Sequence, residues 1–385
     1  MAGTGRFHYL DGLRAVAIGS VLGVHWLVWY VPFFHGGVIG VDIFFVLSGF
    51  IITTVLWRSS STRTLAGEWL HFVRRRVVRL YPALVGLVVG ATVLYAVVPH
   101  SGLSATEVTQ RGLMVLGQAT SIWGAVQEGS LLVPALEPFG HTWSLAVEWY
   151  FYLAWPLLLL AVRRRGWTAQ RTAHLSVVIA ACCYAGSLVL PPFWFYFGPS
   201  ARFAEILAGC ALALYLLARP NDAAPLRMPP VLPAAALVAV VLYVLLAPAS
   251  HGPYRWIGVP LAVTATLVII CAGYAASGGP VRTLLSHPLL TAIGRVSYSL
   301  YLWHTVPVLA LEDVPSVPKP LLGVLAVGMV AALTVGSYSL LERPFLRGRS
   351  DVLSPRRTPT SSVPRPREVS TEKPPVSRTK ETPGP

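Results

Sequence analysis

The chain has 385 residues, 54% of them hydrophobic and only 12% charged, with a mean hydropathy of +0.61. Those values exclude an ordinary soluble globular domain and describe a polytopic membrane protein. The formal charge of +14 does not point to nucleic acid, because the arginines gather in short runs between apolar stretches, as at Arg74, Arg75, Arg76 and Arg79, the arrangement of cytoplasmic loops.

In chain order, apolar windows of spanning length cover 12 to 31, 38 to 57, 80 to 98, 143 to 162, 174 to 190, 201 to 218, 231 to 248, 257 to 276, 289 to 311 and 320 to 341. The expected fold class is an all-α integral membrane protein, a polytopic bundle of about ten transmembrane helices. An eleventh stretch, 112 to 126, is short and holds Gly117, Gln118, Thr120 and Ser121, and is expected to be re-entrant or interfacial. Ten spans put the basic loops 58 to 79, 163 to 171 and 219 to 227, Arg282 and both termini on the cytoplasmic side of the cell membrane. The first window is too long for a cleavable leader and lacks a small-residue cleavage site, so it is expected to remain as the first span. The membrane domain is expected over 7 to 346. From 347 to 385 the chain is a basic tail rich in Pro, Ser and Thr with too little apolar surface to offset ordering, and is expected to be disordered. Cys182, Cys183, Cys210 and Cys271 show no metal or disulfide spacing and read as packing residues, so no metal is expected. Only Lys319, Lys373 and Lys380 among 30 basic residues are lysine, which with the Ala, Gly and Pro content points to a high-GC bacterial genome.

The first window carries two residues that hydrocarbon disfavours, Arg14 and His25, at up to roughly 3 kcal/mol each on insertion scales. Eleven residues of regular helix separate them by about 16 Å and bring them within about 20° of one face, so both can line one polar channel. In the second window, Asp42 lies about one turn inside the outer boundary and Ser48 near the middle, as channel residues or, more blandly, as packing and pairing residues. Arg76 and Arg79 lie one turn apart at the mouth of the third span, either as a topology signal or as a guanidinium fork for phosphates. The fourth span enters from outside with His141, Ser144, Glu148 and Tyr152. Ser144 and Glu148 share a face, and the buried carboxylate needs a partner, for which His25 or a channel arginine is the natural choice. Tyr301 and His304 share a face in the ninth window, and the closing Glu342 and Arg343 most simply cap the last helix.

Arg14 with ten intervening residues before His25, FFVLSGF at 44 to 50, Arg76-x-x-Arg79, TWSLAVE at 142 to 148, SYSLYLWH at 297 to 304 and the closing ERPF together resemble the acyltransferase family 3 membrane proteins, over roughly residues 7 to 346. The resemblance implies a membrane O-acyltransferase that moves an acyl group, most often acetyl, from acyl-CoA to a hydroxyl of a carbohydrate or glycosylated metabolite. Family acceptors include lipopolysaccharide O-antigen, peptidoglycan, exopolysaccharide and macrolide antibiotics. It matches Arg14 and His25 to the family's essential pair, Arg76 and Arg79 to its arginine pair, and Ser144 and Glu148 to its Trp-Ser-Leu-x-x-Glu segment. Many relatives have a second acid after that Glu where this chain has Trp149, so no paired-carboxylate mechanism is assigned. Some also append a hydrolase-like outer domain, which this sequence does not show. Transfer is then expected from the membrane domain or a separate partner.

The expected mechanism has Arg76 and Arg79 holding the CoA phosphates while Arg14 orients the donor. His25 is general base on the acceptor hydroxyl or a transient acyl carrier, and Glu148 fixes its tautomer. The competing classes are a transporter or exporter of a small molecule or glycan precursor, and a membrane sensor or scaffold. No inverted repeat of the kind that marks many transporters is evident.

Overall fold

A chain segment in hydrocarbon must satisfy its backbone hydrogen bonds internally, and helices do so segment by segment. The computed structural model describes residues 5–346 except 29, 60–62, 99–101, 127–135, 221–222, 225, 249, 276–278, 313 and 315–316, together with Gly384. Except for Gly384, the tail expected to be disordered therefore lies outside the described residues. Among the described residues there is no β-sheet. The helices are α1 (Gly5–Leu22), α2 (Ile39–Arg58), α3 (Leu65–Val97), α4 (Ala105–Leu116), α5 (Thr120–Val126), α6 (Trp143–Arg164), α7 (Ala169–Ser187), α8 (Pro192–Phe197), α9 (Pro199–Leu217), α10 (Val231–Leu246), the single turn α11 (His251–Pro253), α12 (Val259–Ala272), α13 (Gly279–Leu285), α14 (Pro288–Trp303), α15 (Val306–Leu311), α16 (Lys319–Ser337) and α17 (Arg343–Leu346).

Among the described residues, seven of the ten expected windows return as helices long and apolar enough to cross a membrane: His8–Leu27, His35–Arg58, Leu65–Val97, Gly140–Arg164, Pro192–Leu217, Tyr254–Ala272 and Lys319–Phe345. The other three differ for identifiable reasons. The helix α7 carries Arg171, His174 and several hydroxyls, and α10 has only 16 residues. The window 289 to 311 is broken after Trp303, because Pro307 has no N–H to continue the ladder and its ring crowds the preceding turn. The segment 112 to 126 is two short helices rather than one span: α4 ends at Leu116, and Gln118 adopts φ 56° before α5 begins.

Close backbone approach fixes how these helices pack. In α2 a Cβ on Gly49 would lie 1.9 Å from the Ile206 carbonyl oxygen, and in α9 one on Gly209 would lie 2.0 Å from that of Val46, so the two helices cross where neither has a side chain. The large core gathers around that crossing, with Phe45, Phe50, Trp143, Phe151 and Phe197 buried in it. At the Arg-rich end, Arg163 donates to the Leu56 and Ser59 carbonyls at 2.8 and 2.7 Å and to Glu68 at 2.8 Å, holding the end of α2 to the start of α3.

Candidate active site

The first half of α1, the second half of α2 and the first half of α3 converge on a cavity of about 730 Å³ lined by Arg14, Ser48, Arg74, Arg75, Arg76, Arg79, Glu148 and Tyr152. Chain direction dictates this, since consecutive spans run in opposite senses and bring these halves to one end of the bundle. Arg76 is buried, with its guanidinium 5.1 Å from the Phe72 ring and 5.0 Å from the Tyr152 ring. Such stacking holds the guanidinium in place between the two rings. The Tyr152 hydroxyl donates to Glu148 Oε2 at 2.6 Å and lies 3.2 Å from the Ser48 hydroxyl. The nearest acid to Arg14 is Asp11, at 4.0 Å.

The opposite ends of α1 and α2, the turn before α6 and the α14–α15 break enclose a second cavity of about 160 Å³. Its walls include His25, Trp26, Glu137, His141, Trp143, Tyr196, Tyr301 and Thr305. The break is what assembles this polar cluster, because it frees carbonyls that a continuous helix would use. Tyr301 O takes His304 Nδ1 at 2.7 Å, Leu302 O takes His141 Nε2 at 3.1 Å, and His304 O takes the Trp26 indole N–H at 2.9 Å. On the facing helix, His25 sits in a π turn, Gly23–Leu27, and its Nδ1 donates to Val21 O at 2.8 Å. A carbonyl can only accept, so this bond puts the His25 proton on Nδ1 and leaves Nε2 as a lone pair. The His25 and His304 ring centroids are 4.8 Å apart, and those of His141 and His304 are 4.9 Å apart. No group of three His, Cys, Asp or Glu among the described residues is arranged to hold a metal.

Several expectations are corrected here. Arg14 and His25 do not line one cavity; each belongs to a different one, and the π turn that holds His25 breaks the regular register on which the shared-face argument rested. Glu148 lines the arginine cavity, bonded to Tyr152, and is not a partner of His25. Asp42 lines neither cavity described here; it is fully buried, ion-paired with Arg202 and accepting the Tyr254 hydroxyl at 2.8 Å. Ser144 and His304 likewise line neither of the two. Tyr301 gives its proton to His141 O at 2.6 Å, so Ser144, 2.7 Å away, is the donor to Tyr301. Glu342 does not cap a helix: it is buried at the end of a π turn and accepts a hydrogen bond from Ser299. Arg76, Arg79 and Ser48 line the arginine cavity, and His141 and Tyr301 line the smaller one.

Other site residues were not singled out from the sequence. Arg74 and Arg75 join the arginine cavity, and their run was visible. Arg202 and Glu205, 2.9 Å apart, line neither of these cavities but complete the buried set around Asp42; they are ionisable residues inside an apolar window, the same signal that marks Arg14. Glu137 had no such signal, because loop geometry brings it in: Arg111 donates to Glu137 O at 2.7 Å, and Thr305, from the segment that also carries Tyr301 and His304, reaches the adjacent Pro138 O at 3.2 Å. Burial pushes the Glu137 carboxyl above its usual range, with Glu312 adding and Arg111 opposing.

A family model described as an acyltransferase domain matches residues 7–340. The chain is 30% identical over 358 residues to the peptidoglycan O-acetyltransferase OatA of Listeria monocytogenes, covering 87% of this chain and 55% of that protein. It is 29% identical over 355 residues to the putative peptidoglycan O-acetyltransferase YrhL of Bacillus subtilis, covering 87% and 54%. With the O-acetyltransferase OatA of Staphylococcus aureus the identity is 30% over 311 residues, covering 77% and 49%. The chain thus spans about half the length of the curated relatives it matches. No solved structure matches it.

Proposed function

The chain belongs to the acyltransferase-domain family, and on that premise we propose that it is a membrane O-acyltransferase moving acetyl from acetyl-CoA to a hydroxyl of a carbohydrate. The names of the relatives favour a bacterial cell-wall glycan as acceptor over a glycosylated small metabolite. The observation that carries the donor assignment is the convergence of Arg14, Arg74, Arg75, Arg76 and Arg79 on one cavity large enough for a nucleotide. Coenzyme A bears several phosphates, and guanidinium groups bind phosphates through paired, permanently charged donors. By the positive-inside rule this end faces the cytoplasm, where acetyl-CoA is made.

The aromatic walls of the smaller cavity suit the apolar faces of a sugar, and His25 Nε2 offers a base there. In the proposed step the acceptor oxygen attacks the thioester carbon, a C–O bond forms and the C–S bond breaks. The hydroxyl proton passes to His25 Nε2 and then to the CoA sulfur, so acetyl ester and free thiol leave in equal amounts. The acetyl group must pass the contact between Phe44, which lines the arginine cavity, and Tyr301, which lines the other, their ring centroids 6.5 Å apart.

The test is purified protein in nanodiscs with acetyl-CoA, with and without a chitooligosaccharide acceptor, measuring free thiol. The expected result is release by wild type, loss of about a hundredfold or more in His25→Ala, and a raised acetyl-CoA KM in Arg76→Ala/Arg79→Ala. Acyl-donor-independent flux of a glycan precursor, without thiol release, is the outcome that replaces this reading with a transporter.

A further inference from the structure

Most uncharged polar side chains on the wall of the smaller cavity are engaged with the protein itself. Trp26 donates its indole N–H to His304 O, Tyr301 donates its hydroxyl to His141 O, and His141 has Nε2 on Leu302 O and Nδ1 2.9 Å from the Thr305 hydroxyl. Two aromatic residues differ. Among the described residues, neither the Trp143 indole N–H nor the Tyr196 hydroxyl has a hydrogen-bond partner, although only 5% and 8% of the two residues is exposed. Neither polar atom is sealed in protein, as the Trp303 indole nitrogen is, and both residues line the cavity that His25 lines. A nearly buried donor that opens on a cavity opposes folding unless something in the cavity completes it. Packing fixes both rings, so neither can turn elsewhere for a partner. Tyr196 lies 5.1 Å from Trp143 and 5.3 Å from Tyr254, with the Arg202 guanidinium 5.8 Å from its centroid, and Phe197 closes on Trp143 at 5.4 Å. The buried set around Asp42 thus backs this wall.

We propose that Trp143 and Tyr196 hold the acceptor, their N–H and hydroxyl binding two oxygens of one sugar unit beside the hydroxyl that is to be acetylated. This deepens the acyltransferase reading above and rests on it. The three open groups of the cavity define the ligand by their chemistry. An indole N–H can only donate, a phenol can donate or accept, and His25 Nε2 can only accept. A ligand that answers all three carries several oxygens on one small frame, at least one of them a hydroxyl, together with an apolar face for the rings. A pyranose has that form, whereas a simple alcohol would leave most of the groups open. Fixed donors of this kind act on selectivity, because an acceptor that lacks the matching oxygen leaves them unpaired in a site already withdrawn from water.

The test uses the full chain in nanodiscs with acetyl-CoA and chitotetraose. Tyr196→Phe removes one oxygen and keeps the ring, and Trp143→Phe removes the indole N–H; if the second variant does not fold, the first decides alone. The chitotetraose KM should rise about three- to tenfold in Tyr196→Phe and at least as much in Trp143→Phe, with the acetyl-CoA KM unchanged in both. Chitotetraose affinity, measured by calorimetry without donor, should fall by the same factor. A chitotetraose KM equal to that of wild type in Tyr196→Phe overturns the proposal. So does a rise in both KM values together, since a loosened wall does not distinguish acceptor from donor. If wild type releases no thiol, the acyltransferase reading falls by itself and calorimetry decides the acceptor site. Binding that weakens in Tyr196→Phe upholds it, and no binding by wild type, or equal binding by both proteins, overturns it.

Discussion

Arg202 lies with no exposed surface between Asp42 and Glu205, and Tyr254 ties the set together by accepting from Arg202 at 2.6 Å and donating to Asp42. Such a set contributes little net stability when complete, because desolvation offsets attraction, but removing one member strands a charge. We expect Arg202→Met, which leaves two carboxylates facing each other, to destabilise the protein by about 3 to 5 kcal/mol in thermal or denaturant melts. Arg202→Met with Asp42→Asn should recover part of that loss. A melt of the single variant indistinguishable from wild type would mean that the set is not closed in the membrane. The same contrast separates Asp42 from Glu148, two carboxylates in apolar sequence. Asp42 is enclosed by its partners, whereas Glu148 keeps a face on a cavity lined by arginines.

At the scale of helices, the site depends on departures from regular geometry. Of the three π turns among the described residues, Gly23–Leu27 carries His25, Tyr254–Gly258 carries the tyrosine of the Asp42 set, and Tyr338–Glu342 carries the buried Glu342. A π turn rotates every later side chain relative to an α register, which re-aims a polar group without displacing the helix axis. Where helices instead pack regularly, glycine permits it. Gly209→Ala would drive a methyl into the Val46 carbonyl, an immovable backbone atom, and is expected to cost about 1 to 3 kcal/mol, read as a lowered melting temperature. By contrast, Gly186→Ala meets nothing within 4 Å and should leave the melt unchanged.

Across the whole molecule, two cavities of opposite character lie at opposite ends of the bundle, parted by Phe44 against Tyr301. If acetyl crosses there, the partition also keeps water from the thioester. Phe44→Ala is expected to raise acetyl-CoA hydrolysis several-fold in the absence of acceptor, relative to transfer in its presence. Hydrolysis and transfer falling together would instead make Phe44 a packing residue.

Composition and hydropathy by themselves determined the membrane class and the all-α fold, because an apolar window in hydrocarbon has few other ways to satisfy its backbone. The motif order identified the family; ionisable residues in apolar windows marked Arg14, His25 and Glu148 as site candidates, and a one-turn spacing at the mouth of the third span marked Arg76 and Arg79. Pairing was not legible. That Arg76 stacks on the Tyr152 that holds Glu148, that Asp42 joins Arg202, and that His304 faces His25 are contacts between segments far apart in the chain. Only tertiary structure decided them, since which face a side chain presents depends on π turns and a proline break whose rotation and bend no regular helical period foretells.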